Sequence, residues 1–157
     1  MPSSPLAALQ SAWSDAVSSV NPRGRLGIDL VEVGLLRRLL TSGGSAFVNM
    51  GWSEREQLEA HGQPEALAGK WAAKEAAMKV LGRGIGELDP LDLEVLTADS
   101  GAPRLDLHRA ARRCAREHRM THWRISITHE AGWAAAIAAA SEGVIAIPTA
   151  QRPDRSE

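Results

Sequence analysis

A single cysteine, Cys114, stands in this chain of 157 residues. That excludes an intrachain disulfide and leaves any metal site without a thiolate pair, so the reading is a reducing, cytoplasmic setting. Also missing is an apolar run approaching the roughly 20 residues that a bilayer-spanning helix needs. The opening "MPSSPLAALQSAWSDAVSSV" has no basic stretch of the kind that precedes a secretory core, and a soluble protein with no membrane contact is expected. Charge of one sign is not in excess either. Lys and Arg number 18 against 19 Asp and Glu, for a formal net charge of -1, so the balance points to no nucleic-acid partner. No repeat recurs at a fixed period, which excludes solenoids. What the chain does have is 44% hydrophobic residues, enough at this length for one sizeable core in one domain.

Residues 1–24 are rich in Ser, Ala and Pro, with Leu6, Leu9, Trp13 and Val17 at helical spacing before a break at Pro22 and Gly24. They read as an N-terminal extension to a domain spanning 25–147, and 148–157 reads as a disordered polar tail. In "RLGIDLVEVGLLRRLL", Leu26, Ile28 and Leu30 alternate with Gly27, Asp29 and Val31 before Leu35, Leu36, Leu39 and Leu40 turn helical. Strand, then helix, is the expectation, and "TSGGS" at 41–45 reads as a loop. Ser53 followed by Glu56 is a capping box opening a helix over 53–61. Pro64 and Gly82 frame a helix of about five turns. Further on, "LDLEVL" (91–96) alternates as a half-buried strand, "DSGAPR" (99–104) is turn chemistry, and "HRAARRCAREHR" (108–119) is a basic helix. "WRISIT" (123–128) is a strand with Trp123, Ile125 and Ile127 on one face. "WAAAIAAA" (133–140) is left open by its own residues: alanine prefers helix, while a place just after a strand invites a hairpin.

The helix framed by Pro64 and Gly82 carries the chemistry. Leu67, Trp71, Met78 and Leu81 share one stripe, Lys74 falls inside it, and Glu75 and Lys79 flank it four residues apart. One reading is an ordinary Glu-to-Lys helix pair, with Lys74 extending its stem past apolar neighbours. The other involves Asp29, a carboxylate set between Ile28, Leu30 and Val31 that either faces solvent or needs a cation nearby. A hard divalent ion would join Asp29 to Glu75, because Mg²⁺ takes one or two carboxylates and fills its shell with water and phosphate oxygens. Lys79 beside such an ion would meet a phosphate. Gly82, Gly84 and Gly86 of "GRGIG" would let backbone N–H groups approach it, although a C-cap and turn is the commoner meaning and the spacing matches neither the dinucleotide nor the P-loop pattern.

In that order and at those separations, "GIDLVEV", "KWAAKEAAMKVLGRGIG", "DLEV", "SGAPRL" and "ISITHEAGWAAA" resemble the small holo-acyl-carrier-protein synthases, the short class of 4'-phosphopantetheinyl transferases, from about Leu26 to Ala140. The resemblance implies an α+β fold in which an antiparallel sheet packs with a long central helix, assembled as a homotrimer with active sites between subunits. It makes residues 133–140 a strand paired with 123–128. It implies Mg²⁺-dependent transfer of the 4'-phosphopantetheine group of coenzyme A to a serine of an apo acyl carrier protein, in fatty acid or polyketide biosynthesis, with release of adenosine 3',5'-bisphosphate. Asp29 and Glu75 match the family's metal ligands, and Glu75 is also the preferred acceptor for the serine proton. Lys79 matches the lysine at the coenzyme A phosphates. His129 matches a histidine near the nucleotide, though taken alone a strand-end histidine is more often structural. Gly82, Gly84 and Gly86, with Gly101 and Pro103, match segments lining the coenzyme A site.

The partner implied is an acidic carrier protein, met by Arg37 and Arg38 or by Arg109, Arg112, Arg113, Arg116 and Arg119. A solvated face is the other meaning of such arginines. Leu35 and Met50 stand where the family often has carrier-facing arginines, which suggests a dedicated carrier rather than the general fatty-acid one. Two rival functions use the same residues: a non-catalytic carrier-binding module of this fold, and a metal-dependent hydrolase of pyrophosphates.

Overall fold

A computed structural model describes residues 24–143. The helical spacing of Leu6 to Val17 and the tail at 148–157 lie outside the described residues. Strand β1 (Arg25–Glu32) leads into helices α1 (Val33–Gly51), α2 (Glu54–Ala60) and α3 (Pro64–Leu81). A 3-10 turn (Pro90–Asp92) precedes the hairpin of β2 (Leu93–Thr97) and β3 (Pro103–Leu107), and α4 (Arg109–Glu117) leads to β4 (His122–Glu130) and β5 (Trp133–Ser141). One antiparallel sheet has the order β1-β5-β4, and β2 pairs with β3 in a second.

The central packing is α3 against the three-stranded sheet, and small residues make it close. Across one face the register sets Gly27 against Ala138, Asp29 against Ala136 and Val31 against Ala134. The next strand continues with Ile125, Ile127 and His129. Ala134, Ala136, Ala138 and Ala140 are buried there, as are Ala72, Ala73, Ala76 and Ala77 of α3. Alanine is a poor strand former by propensity. Here β5 is the middle strand, its backbone bonded on both sides, and only a small side chain fits beneath the helix, so burial overrides propensity. At Gly27 the approach is tighter still: a Cβ would overlap the carbonyl oxygen of Ala76. Gly27→Ala is therefore expected to destabilise by about 1–3 kcal/mol, read as a lowered thermal midpoint, since rigid backbone must move aside.

Local signals act where they were read. Ser53 and Glu56 form both halves of the capping box, Pro64 occupies the first turn of α3, and Gly82 ends it in the left-handed conformation. Three expectations shift. The stretch 41–45 is not an excursion but a kink within α1: Gly44 takes φ 58 and ψ -153, while Thr41 and Ser42 hydroxyls bond back to the carbonyls of Arg37 and Leu39. The strand expected from Leu91 starts at Leu93, because Pro90 opens a 3-10 turn whose Leu91 N–H is taken by Asp89. The basic helix is shorter than 108–119, with His108 extended before it and Arg119 left-handed after it.

Lys74 departs most from expectation. Rather than extending past its neighbours to water, it is 1% exposed. Its ammonium donates to Glu56 Oε2 at 2.8 Å, the Gly51 carbonyl at 2.8 Å and the Pro90 carbonyl at 2.9 Å, using all three protons. Glu56, fully buried, also accepts from the Ser53 and Val95 backbone amides. Burial pushes the Lys74 ammonium below its ordinary range, and the Glu56 charge opposes that push. A pair of this kind persists because every donor and acceptor is used.

Two more carboxylates set the response to pH, the buried Glu94 and the more exposed Glu59. Burial, the largest influence, pushes Glu59 and Glu94 upward, but hydrogen bonds from Lys70 and Thr97 to the former, and from Ser53 and His108 to the latter, bring both below the ordinary 4.5. A carboxylate depressed on folding contributes stability above its unfolded value, and that contribution is lost as pH falls through the folded value. Thermal midpoints should therefore decline below pH 4.5, and the Glu59→Gln, Glu94→Gln double variant should flatten that decline.

Candidate active site

Alternation along β1 turns Asp29 toward α3, two residues from the glycine that admits the helix. On α3, Glu75 and Lys79 lie one turn apart. Lys79 Nζ donates to Asp29 Oδ1 at 2.9 Å and to the Ile28 carbonyl at 2.7 Å. Glu75 is half-buried beside them. Burial pushes its carboxyl above the ordinary range, the charge of Asp29 adds to the push, and Lys79 opposes it. Residues from distant parts of the chain thus form one cluster of two carboxylates and one ammonium.

Two hard oxygen ligands and no thiolate or imidazole suit Mg²⁺, which completes its shell with water and phosphate. Among the described residues no group of three or more His, Cys, Asp or Glu is arranged to hold a metal, whereas a structural zinc site would require such a closed set. Asp29 and Glu75 are carboxylates, the type of donor that Mg²⁺ takes.

The glycine loop lies at the same end of α3 as Lys79. Gly82 and Gly86 have φ of 67 and 97, conformations that side chains resist. The Gly84 N–H is not free: Glu87 Oε2 accepts it at 3.0 Å, and Arg83 pairs with the other oxygen of Glu87.

His129 lies on the opposite flank of the helix. Its Nε2 donates to the Glu65 carbonyl at 2.8 Å, in the first turn of α3. Glu65 and Glu75 are ten residues apart, so roughly 15 Å of helix separates His129 from the carboxylates. Beneath the helix, β5 separates the strands that carry Asp29 and His129. Gly101 and Pro103 lie with His129, lining a cavity of about 200 Å³ together with Gly69 and Lys70. The expected site residues thus form two groups within one chain: Asp29, Glu75, Lys79 and the glycine loop in one, His129, Gly101 and Pro103 in the other.

Lys70 was not singled out from the sequence. Its Nζ donates to Glu59 Oε2 at 2.8 Å and the Val95 carbonyl at 2.6 Å. The available signal was its position four residues before Lys74, since two lysines on one buried stripe require acids from elsewhere.

The sequence pattern of the 4'-phosphopantetheinyl transferase superfamily matches residues 25–138. The holo-[acyl-carrier-protein] synthase of Natranaerobius thermophilus is 38% identical over 107 residues, which is 66% of this chain and 86% of that protein. The synthase of Herpetosiphon aurantiacus is 36% identical over 110 residues, 66% of this chain and 87% of that one. The crystal structure of the Helicobacter pylori holo-[acyl-carrier-protein] synthase in complex with coenzyme A matches with a TM-score of 0.68 and 27% identity, over 74% of this chain and 99% of that one. The α+β architecture, the order of the motifs and these relatives agree: the chain belongs to the 4'-phosphopantetheinyl transferase superfamily.

Proposed function

We propose that this protein, through its domain at 25–147, transfers the 4'-phosphopantetheine group of coenzyme A to a serine of an apo acyl carrier protein, with Mg²⁺ as cofactor. The observation that carries the proposal is the meeting of Asp29, Glu75 and Lys79 at one place. In the reaction the serine oxygen bonds to the β-phosphorus of coenzyme A, the bond from that phosphorus to the bridging oxygen breaks, and adenosine 3',5'-bisphosphate leaves. Asp29 and Glu75 would hold Mg²⁺, which when bound supplies charge neutralisation to the pyrophosphate oxygens. Lys79, half-exposed, is placed to turn from Asp29 to a phosphate oxygen. Glu75 is also assigned as the acceptor for the serine proton. The Gly82–Gly86 loop borders the phosphates, and the cavity with His129, Lys70 and Pro103 is assigned to the nucleotide end of coenzyme A.

That assignment needs the two groups of residues to meet, and a homotrimer provides the means. The sheet face turned away from α3 carries Leu26, Ile28 and Leu30 opposite Ala139, Ile137 and Ala135, with Leu30 57% and Trp133 44% exposed. β4 adds Arg124, Ser126, Thr128 and Glu130 to the same face, so the apolar part, on β1 and β5, is what calls for a partner. Other copies of the chain covering it would bring the His129 cavity of one subunit to the carboxylates of the next.

The acceptor is proposed to be an acidic carrier. Arg37 pairs with Glu65, Arg109 with Asp89 and Asp92, and Arg119 with Glu142. Of the arginines singled out, Arg38, Arg112, Arg113 and Arg116 therefore remain outside ion pairs among the described residues and are available for long-range steering. A cytoplasmic location belongs to the same reading. No helix among the described residues is long and apolar enough to cross a membrane.

Incubation with coenzyme A, Mg²⁺ and a panel of apo carrier proteins tests the reading by mass gain of the carrier. Coenzyme A consumption without a carrier would instead indicate the hydrolase, and carrier binding without consumption the non-catalytic module.

A further inference from the structure

Between the two sheets runs a seam that the chemistry above does not use. β3 has β2 on one side and β4 has β5 on one side, and among the described residues no strand pairs with either on the other. At one end of the seam Pro103, Ile127 and His129 line the cavity described above. At the other end is a second cavity of about 580 Å³, walled by Leu105 and Leu107 of β3, Ala115 of α4, and Met120 and Trp123 at the entry to β4. Leu105, Leu107 and Trp123 pack on the core and are only partly buried. The polar residues of the lining have business of their own: Asp106 accepts from Arg104, His108 meets Glu94, and the Arg112 Nε donates to the Leu107 carbonyl. What is left without a partner is the apolar wall, so the occupant it suits is apolar.

The chain itself carries such a segment, beginning at the edge of the cavity. β5 ends at Ser141, and Thr121, which lines the cavity, binds the residues there. The Thr121 N–H donates to the Ser141 carbonyl at 3.0 Å, the Gly143 N–H donates to the Thr121 hydroxyl at 3.3 Å, and the Ser141 hydroxyl donates to the Gly143 carbonyl at 2.7 Å. Gly143, at φ 88, turns the chain out of the strand. Next in sequence come Val144, Ile145, Ala146 and Ile147, then Pro148 and the polar run "TAQRPDRSE". A short apolar run, β-branched at three of four positions and bounded by Gly and Pro, is the pattern of a buried strand. Four extended residues span roughly 13 Å, and these start from the cavity wall. We infer that residues 144–147 dock in this cavity within their own chain, setting their side chains against Leu105, Leu107, Met120 and Trp123. The contact ties β3 to β4 across the seam. It lies beyond residues 25–138, which match the superfamily pattern, and is an addition to the shared fold.

The test uses the full-length protein. In the parent, labelled at isoleucine methyl groups, nuclear Overhauser cross-peaks are expected from Ile145 or Ile147 to the Trp123 indole. Their absence overturns the proposal with no substitution made. In the Ile145→Ser, Ile147→Ser double variant, backbone amides at 105–107 and 120–123 should exchange with solvent faster by on the order of tenfold, while those of α3 keep the parent rate. Unchanged exchange at 105–107 and 120–123 overturns the proposal. Cross-peaks that arise only between differently labelled copies mixed together also overturn it, by placing the segment on a second copy. Protection of these residues that appears only on adding coenzyme A or an apo carrier protein does so too, by assigning the cavity to that ligand.

Discussion

Asp29→Ala and Glu75→Ala are each expected to yield a folded protein whose transfer rate is lower by about 10²–10³-fold, the scale seen when one preorganised electrostatic contact to a transition state is removed. Neither side chain holds the core together. Asp29 meets Lys79 at the half-exposed flank of α3, and Glu75 sits beside it under like-charge repulsion. Removing one carboxylate relieves that repulsion, so thermal midpoints should stay close to the parent value while chemistry is lost. Raising Mg²⁺ should recover part of the rate, because a missing ligand weakens metal affinity as well as phosphate charge neutralisation. Near-normal turnover of either variant at limiting Mg²⁺ would contradict the assignment of roles.

Lys74→Met carries the opposite signature, with a large loss of stability and no direct chemical role. It leaves Glu56 charged, fully buried and stripped of its cation, and breaking a buried pair from one side costs about 3–5 kcal/mol. For a domain of this size that corresponds to a drop in thermal midpoint of roughly 10–20 °C. The Gly51 and Pro90 carbonyls lose their donor as well. Adding Glu56→Gln should return part of the loss, since a neutral amide side chain keeps an oxygen for the Val95 N–H without a bare charge. A double-mutant cycle showing no coupling between the two positions would refute the pairing.

These two expectations rest on the same geometry, which explains why one helix carries Lys74, Glu75 and Lys79 among alanines. Consecutive helix residues point about 100° apart, so Lys74 turns inward to tie α1, α2 and the 3-10 turn, while Glu75 turns toward β1. Periodicity placed Lys74 in the apolar stripe. Its burial is not legible there, because Glu56 lies 18 residues away and its local sequence signals only a cap. The elements that were legible, such as the Ser53 box and the Pro64-to-Gly82 helix, are those whose hydrogen bonds close within a few residues. Strand β5 was the reverse case: alanine propensity pointed away from a strand, and the family resemblance supplied what local residues did not. Asp29 and Glu75 were candidates by residue type, but their convergence depends on a glycine and an alanine face that matter only once α3 crosses the sheet. The role of Lys70 is hidden from local sequence for the same reason, since its partners Glu59 and Val95 belong to other elements.

The glycine and alanine seam beneath α3 also bears on how the enzyme tolerates change. Side chains without rotamers cannot absorb an inserted methyl group by swinging aside, so an added atom there displaces the whole helix as a rigid rod and carries Glu75 and Lys79 away from Asp29 together. Lesions in that seam should therefore appear first as lost alignment of the two acids, with catalysis failing in proteins that still melt cooperatively.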